Sequence, residues 1–263
     1  MLGRLDGIPV LMYHGVADVT PAVDAGEARF WVTSARLRQQ LEQIRYAGFR
    51  TARLSEHWGA AASASRERSL VITFDDGRAS DYTGALPLLV ERGARAEFFV
   101  NTGTVGTRGY LDWAQIRDMQ RVGMSFQSHA HDHVPLPTLS PIALAWQLRR
   151  SKAILEDRLG AAVDYLAAPY GSLTGRVLAV AADVGYRAVC NSWHWPARRG
   201  GQVINRVAVM GNTTAEQFAG FITGAPGAYL PGFGRMALVE LPKRMMLKLR
   251  PHRLGVALAV DRP

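Results

Sequence analysis

Short apolar runs of strand character alternate with longer segments of helical period along most of this chain. "IPVLMYHGV", "SLVITF", "RAEFFVN", "MSFQSH", "VDYLAAPYG", "YRAVCNS" and "VINRVAVM" read as strands between polar or glycine-rich turns. Between them, "SARLRQQLEQIRYAGF" sets Leu37, Leu41 and Ile44 on one helical face, with Ser34 as N-cap and Gly48 as stop. A short helix is expected near residues 55–63. "DYTGALPLLVERG", "DWAQIRDMQRVG", "SPIALAWQLRRSKAILEDRLG", "GRVLAVAADVG" and "TAEQFAGFITG" read as further helices that close at glycine. Such a chain lays parallel strands side by side and crosses back over them with helices. The expectation is an α/β fold of about seven strands, either a barrel or a doubly wound sheet.

The chain has 263 residues, enough for one large α/β domain with a substantial core. Its formal net charge of +9 favours acidic partners. No zinc-finger spacing, RNA-binding signature or Lys/Arg block is present, so nucleic acid is not expected. The single cysteine, Cys190, excludes an internal disulfide framework and reads as a small buried apolar residue. The N-terminus lacks a secretory h-region, and no window approaches the roughly 18 apolar residues of a membrane span. The expected location is the cytoplasm, at most peripheral to a membrane. The alternation stops near residue 234. From Arg235 to Arg253 the chain mixes Met and Leu with six basic residues and one acid. Residues 235–263 are therefore separated from a main domain at 1–234. They are expected to pack on that domain or to contact an anionic membrane.

In parallel α/β folds the C-terminal ends of strands form the functional face. "SLVITF" delivers Asp75 and Asp76 there, and "MSFQSH" leads into His129, His131 and His133. "VDYLAAPYG" delivers Pro169, Tyr170 and Gly171, and the first strand delivers His14. Two adjacent carboxylates repel unless a cation relieves them. A divalent ion can bind one, leaving the other as a base on water at the same ion. Imidazole nitrogens with one carboxylate suit Zn²⁺ or a similar transition ion, and three protein ligands leave a position open. If the histidine segment forms a helical turn, His129 and His133 face the same way and His131 faces away. His131 is the reserve ligand. An Asp-Asp-Gly alone, or a His-x3-His alone, is as readily structural; their coincidence on successive strand ends is what points to a metal site.

"LMYHG", "TFDDG", "SHAHDH" and "APYG", in this order and spacing over roughly residues 8–222, resemble the polysaccharide deacetylase family, the NodB-homology domain of carbohydrate esterase family 4. Two departures stand out. Ala130 replaces the usual Ser/Thr of the histidine motif, and no arginine precedes "PYG". The early "MYH" is similar to the rearranged subgroup that includes biofilm poly-N-acetylglucosamine deacetylases. In that subgroup the catalytic histidine comes from the first strand; no late histidine motif is found, and His252 in "RPHRLG" reads as surface.

The resemblance implies a distorted (β/α) barrel and metal-dependent N-deacetylation of N-acetylated amino sugars, in a polysaccharide or a lipid-linked glycan precursor. Asp75 would be the base; Asp76, His129 and His133 would hold the metal, Zn²⁺ first, with Co²⁺ or Ni²⁺ as alternatives. The Tyr170 N–H would help bind the oxyanion beside Pro169, and His14 would be the general acid. Arg206, on a late strand, would replace the missing arginine as the partner of Asp75. Trp193 and Trp195 would offer sugar platforms, and His194 is a minor alternative acid. Hydrolysis of another non-peptide C–N bond or an acetyl ester, or a non-catalytic sugar-binding barrel, are the rival readings.

Overall fold

The computed structural model describes residues 4–19, 25–59 and 68–231. The segment 235–263, with His252, lies outside the described residues. The chain begins with β1 (Val10–Tyr13) and β2 (Gly15–Val16), then α1 (Ala25–Ala28) and β3 (Trp31–Val32). It continues through α2 (Ser34–Tyr46), β4 (Arg50–Thr51), α3 (Ser55–Trp58), β5 (Ser69–Phe74) and α4 (Leu86–Glu91). The regular alternation follows: β6 (Glu97–Val100), α5 (Trp113–Arg121), β7 (Ser125–Ser128), α6 (Pro141–Leu159), β8 (Tyr165–Ala167), α7 (Gly175–Val184) and β9 (Ala188–Cys190). β10 (Val203–Ile204), β11 (Val207–Ala208) and α8 (Ala215–Thr223) complete it.

Local chemistry explains most of these bounds. Thr33, not Ser34, caps α2: its Oγ1 accepts from the Arg36 N–H at 3.2 Å. Asp112 and Gln115 form a reciprocal capping box on α5, and Ser140 caps α6 ahead of Pro141. The segment read as one helix from Asp81 begins instead with a π-helical turn, Asp81–Ala85. Pro87 lacks the N–H that would close an α-turn there.

All pairs in the main sheet are parallel, in the order β10-β9-β8-β7-β6-β5-β1-β11, with β4 beside β5. "VINRVAVM" was expected as one strand and is two. β10 pairs with β9 at one edge, and β11 pairs with β1 at the other. Only Asn205 and Arg206 separate them. A linker of that length spans no more than about 10 Å. The two sheet edges must therefore face each other, and the sheet curls into a distorted barrel.

Strand alternation then sorts side chains into two sets. Leu70, Ile72, Phe74, Phe98, Val100, Phe126 and Leu166 pack outward beneath the helices. Val10, Val71, Phe99, Tyr165, Ala167, Ala188, Cys190 and Ile204 form a second cluster within the barrel. Cys190 is buried there, and its surroundings push its thiol up to about 12. On the outer face Tyr13, Phe74, Phe98 and Phe126 stack across four adjacent strands at 5.2, 4.9 and 5.4 Å. Phe98, fully buried at the middle of this row, is its keystone. Phe98→Ala is expected to lower the unfolding free energy by about 3–5 kcal/mol, read by denaturant titration.

Candidate metal centre

The strand ends converge on one rim. The β1–β5 register pairs Tyr13 with Phe74, so the next residues, His14 and Asp75, lie side by side. The β6–β7 register pairs Val100 with Ser128, which brings Asn101 beside His129. Residue alternation along β5 sends Thr73 and Asp75 inward. Asp76 adopts φ 77 and Gly77 φ 69, so the chain turns sharply and the second carboxylate leaves the strand's alternation. A Cβ at Gly77 would meet Val100 at 2.6 Å, so glycine is required there.

The two aspartates have different partners. Asp75 is buried and bonded at both oxygens by Arg206, at 2.6 and 2.7 Å. Arg206 is fully buried; it also donates to the Asn191 carbonyl at 3.0 Å and to Thr73 Oγ1 at 3.2 Å, and lies over the Phe99 ring. Burial opposes the charge on Asp75, but the Arg206 guanidinium and His129 outweigh it and hold the carboxyl below its usual range.

Asp76 instead faces the histidines. Its Oδ1 lies 3.5 Å from His129 Nε2 and 3.4 Å from His133 Nε2, and its Oδ2 accepts from Arg78 at 3.0 Å. Burial raises its pKa, but His129 and His14 outweigh that and hold it far below the usual carboxylate range. Arg78 also pairs with Glu27. His129 Nδ1 lies 2.8 Å from the Ala167 carbonyl, a bond that requires the proton on Nδ1. That turns Nε2 to Asp76; burial lowers the His129 pKa, but Asp75 and Asp76 outweigh it and raise it, so a bound cation would take the place of the Nε2 proton. Asn101 Nδ2 donates to the His129 carbonyl. Burial and the neighbouring His129 lower His133 to about 4, which keeps its lone pair free near neutral pH.

The fit of a metal can be tested on these distances. Donors 2.0–2.2 Å from a tetrahedral ion are separated by about 3.4 Å. The two N–O separations here have that value. One carboxylate oxygen and two imidazole nitrogens, all within 4.8 Å of one another, therefore suit a transition ion, with Asp75 kept out of the set by Arg206.

His129 and His133 are the histidines brought together, as expected, but not by a helical turn. Residues 129–135 are non-helical, and Ala130 at φ 65 bends the chain. Ala130 is fully buried, and its N–H bonds to Ser128 Oγ. His131 turns away: its Nδ1 lies 2.7 Å from Thr102 Oγ1, and its ring meets Trp146 edge-on. The His14 ring lies tilted against Phe30, 4.6 Å between centroids, and its buried Nδ1 has no protein partner among the described residues. Burial lowers its pKa, against the pull of Asp76 and Asp75. Tyr170 sits after Pro169 in a left-handed conformation, φ 60, exposed and 4.6 Å from the His133 ring.

The tryptophan loop is placed differently from expectation. A return to a parallel strand must run back along the barrel, and Ala197 bridges Ile8, before the start of β1 and away from the rim. Trp195 packs on Tyr229, and His194 lies against Phe221 and Tyr229. Trp193 stays nearer the rim, its N–H bonded to Asn191 Oδ1. Arg78 and Asn101 did not emerge from the sequence, although each lies at the end of a strand or one turn beyond it.

Arg206→Met leaves Asp75 buried without its cation, and is expected to cost about 3–5 kcal/mol of stability near neutral pH. Adding Asp75→Asn should recover part of this. The sign with pH follows from the lowered Asp75 pKa. In the wild type its contribution is present above the unfolded value of about 3.9 and is lost as pH falls through the lower folded value. In Arg206→Met, stability should instead improve as pH falls and Asp75 takes a proton. Denaturant titrations of the metal-free proteins across pH check both.

The polysaccharide deacetylase family model matches residues 62–189, the span that holds Asp75, Asp76, the histidine segment and Tyr170. A chitooligosaccharide deacetylase of Azorhizobium caulinodans is 31% identical over 156 residues, 56% of this chain and 71% of that one. Among solved structures, the deacetylase PplD of Streptococcus pyogenes, in complex with acetate, aligns with a TM-score of 0.76 at 27% identity, covering 84% of this chain and 100% of that one. IcaB from Ammonifex degensii gives 0.72 at 26% identity, over 84% of this chain and 98% of that one. Barrel, rim and sequence agree with one another, and this chain belongs to the polysaccharide deacetylase family.

Proposed function

We propose that this protein is a metal-dependent N-deacetylase that hydrolyses the acetamide of N-acetylated amino sugars, in a polysaccharide or a lipid-linked glycan precursor. The observation that carries this reading is the pairing of two carboxylates with two fates: Asp76 at metal-donor spacing from His129 and His133, Asp75 locked on Arg206 beside it. The deacetylase names of the relatives support the substrate class, and the acetate bound to PplD is the acid half of such a hydrolysis.

A divalent cation held by Asp76, His129 and His133, Zn²⁺ first and Co²⁺ or Ni²⁺ as substitutes, would polarise the acetamide carbonyl and lower the pKa of a water to about 7. Asp75 takes the water's proton. Arg206 keeps Asp75 ionised and fixes its oxygens, so the base is ready without reorganisation. The Tyr170 N–H, on the turn set by Pro169, faces the oxygen that gains charge. His14, beside Asp75 across the β1–β5 pair, gives a proton to the departing nitrogen. Water adds its OH to the acyl carbon and its H to the amine, so the products are acetate and a free amino sugar. Trp193 takes a face of the sugar ring, while Trp195 packs on Tyr229.

The chemistry lies within residues 1–234. Among the described residues no helix is long and apolar enough to cross a membrane, and the reading takes the work to occur on the cytoplasmic side of one, on a lipid-linked sugar.

Chelation is expected to abolish acetate release from N-acetylglucosamine oligomers, and Zn²⁺ to restore it. Asp75→Asn should lose turnover while binding Zn²⁺ at wild-type stoichiometry. Asp76→Ala or His129→Ala should lose the ion itself, read by metal analysis after dialysis. His14→Ala should lower kcat by about 10²–10⁴ with Zn²⁺ retained. Acetate release that persists after chelation, or in Asp75→Asn, would sink the reading.

A further inference from the structure

The outward face of α6 carries apolar side chains that the barrel does not cover. Leu144, Gln147, Leu148, Ser151 and Leu155 face inward and are buried. On the other side Ile142 is 84% exposed and Trp146 50% exposed. With Ala153 and Ile154 they border a shallow trough of about 710 Å³, along which Arg149 and Arg150 stand. These positions recur at the helix's own period. From residue 142 to 154 the helix rises about 18 Å, so the feature is a straight stripe on a single helix and not a closed pocket.

Charge narrows what can cover it. No acidic side chain lines the trough, and the chain as a whole carries +9. A second copy would set arginines against arginines. The basic segment 235–253 has the wrong sign for the same reason. The partner is therefore anionic. A soluble polyanion would meet the arginines but leave Ile142 and Trp146 in water. A bilayer surface takes all four: Ile142 enters the acyl boundary, the indole sits at headgroup level, and the guanidiniums reach lipid phosphates while their stems stay apolar. Arg150 lies 5.7 Å over the Trp146 ring, which holds cation and indole at one depth.

We propose that this face of α6 docks the protein on an anionic membrane. The position fits the rim's chemistry without depending on it. α6 starts at the rim end of the barrel, and the Trp146 ring lies 5.3 Å from that of His131, within the loop that carries His129 and His133. Docking through α6 would hold the rim beside the lipid surface, where a lipid-linked sugar would present itself.

The test is co-sedimentation of the full chain with vesicles of phosphatidylcholine alone or mixed with phosphatidylglycerol, at low and high salt. Binding is expected only with phosphatidylglycerol and should weaken with salt. Ile142→Ser with Trp146→Ser, and separately Arg149→Gln with Arg150→Gln, should each weaken it about tenfold or more. The arginine pair is exposed, so its variant should keep the thermal midpoint and the rate of acetate release from short soluble oligomers; the Ile142/Trp146 variant removes a half-buried indole packed against His131, and a modest drop in its midpoint is expected. No sedimentation with anionic vesicles overturns the proposal. So does sedimentation that neither pair of substitutions alters, which would put the contact elsewhere on the chain. Loss of N-acetylglucosamine oligomer binding in the Ile142/Trp146 variant, with no vesicle binding in the wild type, would assign the face to glycan instead. Because vesicle binding is read without turnover, a failure of the deacetylase reading leaves this result distinct.

Discussion

The buried pair of Asp75 and Arg206 is the interaction on which fold and site both depend. A carboxylate inside a barrel is unstable without a cation and hydrogen bonds. Here the cation arrives because the chain crosses the barrel's open side between β10 and β11, with Arg206 at the crossing. The same two residues that join the sheet's edges thus deliver the side chain that fixes Asp75. Closure and site geometry are one constraint. Arg206 holds Asp75 through two parallel bonds, which a lysine could not reproduce.

That pair also explains how neighbouring aspartates avoid repelling each other to no purpose. Period-two alternation carries Asp75 into the barrel, and the left-handed turn at Asp76 and Gly77 swings the second carboxylate to the rim. Arg206 takes the first charge. Arg78 takes part of the second and leaves Asp76 Oδ1 for the histidines. Backbone strain at non-glycine residues is concentrated at this rim: Asp76, Ala130 and Tyr170 are the non-glycine residues at positive φ among those described.

Much of this was legible in the sequence because it is local. Strand and helix periods, the glycine stops, and the gathering of Asp76, His129 and His133 at strand ends need only short windows. The rest depends on contacts far apart in the chain. "VINRVAVM" has one continuous strand pattern, and nothing in it says that its halves pair with opposite edges. Spacing picked out His129 and His133, yet for a helical turn that does not exist; Ala130 supplies the bend, and Thr102, 29 residues away, draws His131 aside. Trp193 and Trp195 look equivalent in sequence, but the bridge from Ala197 to Ile8 draws the second towards Tyr229. Asn101 and Arg78 are ordinary residues until the register places them beside His129 and Asp76.

The proposed function requires that one carboxylate hold a metal and that its neighbour not. Anomalous diffraction at the zinc edge from crystals of the Zn²⁺-loaded protein measures this directly. One strong peak is expected about 2.0–2.2 Å from an Asp76 oxygen and from Nε2 of His129 and His133, with both Asp75 oxygens still bonded to Arg206. A peak that takes Asp75 as a ligand and frees Arg206, or no peak at this rim, would contradict it.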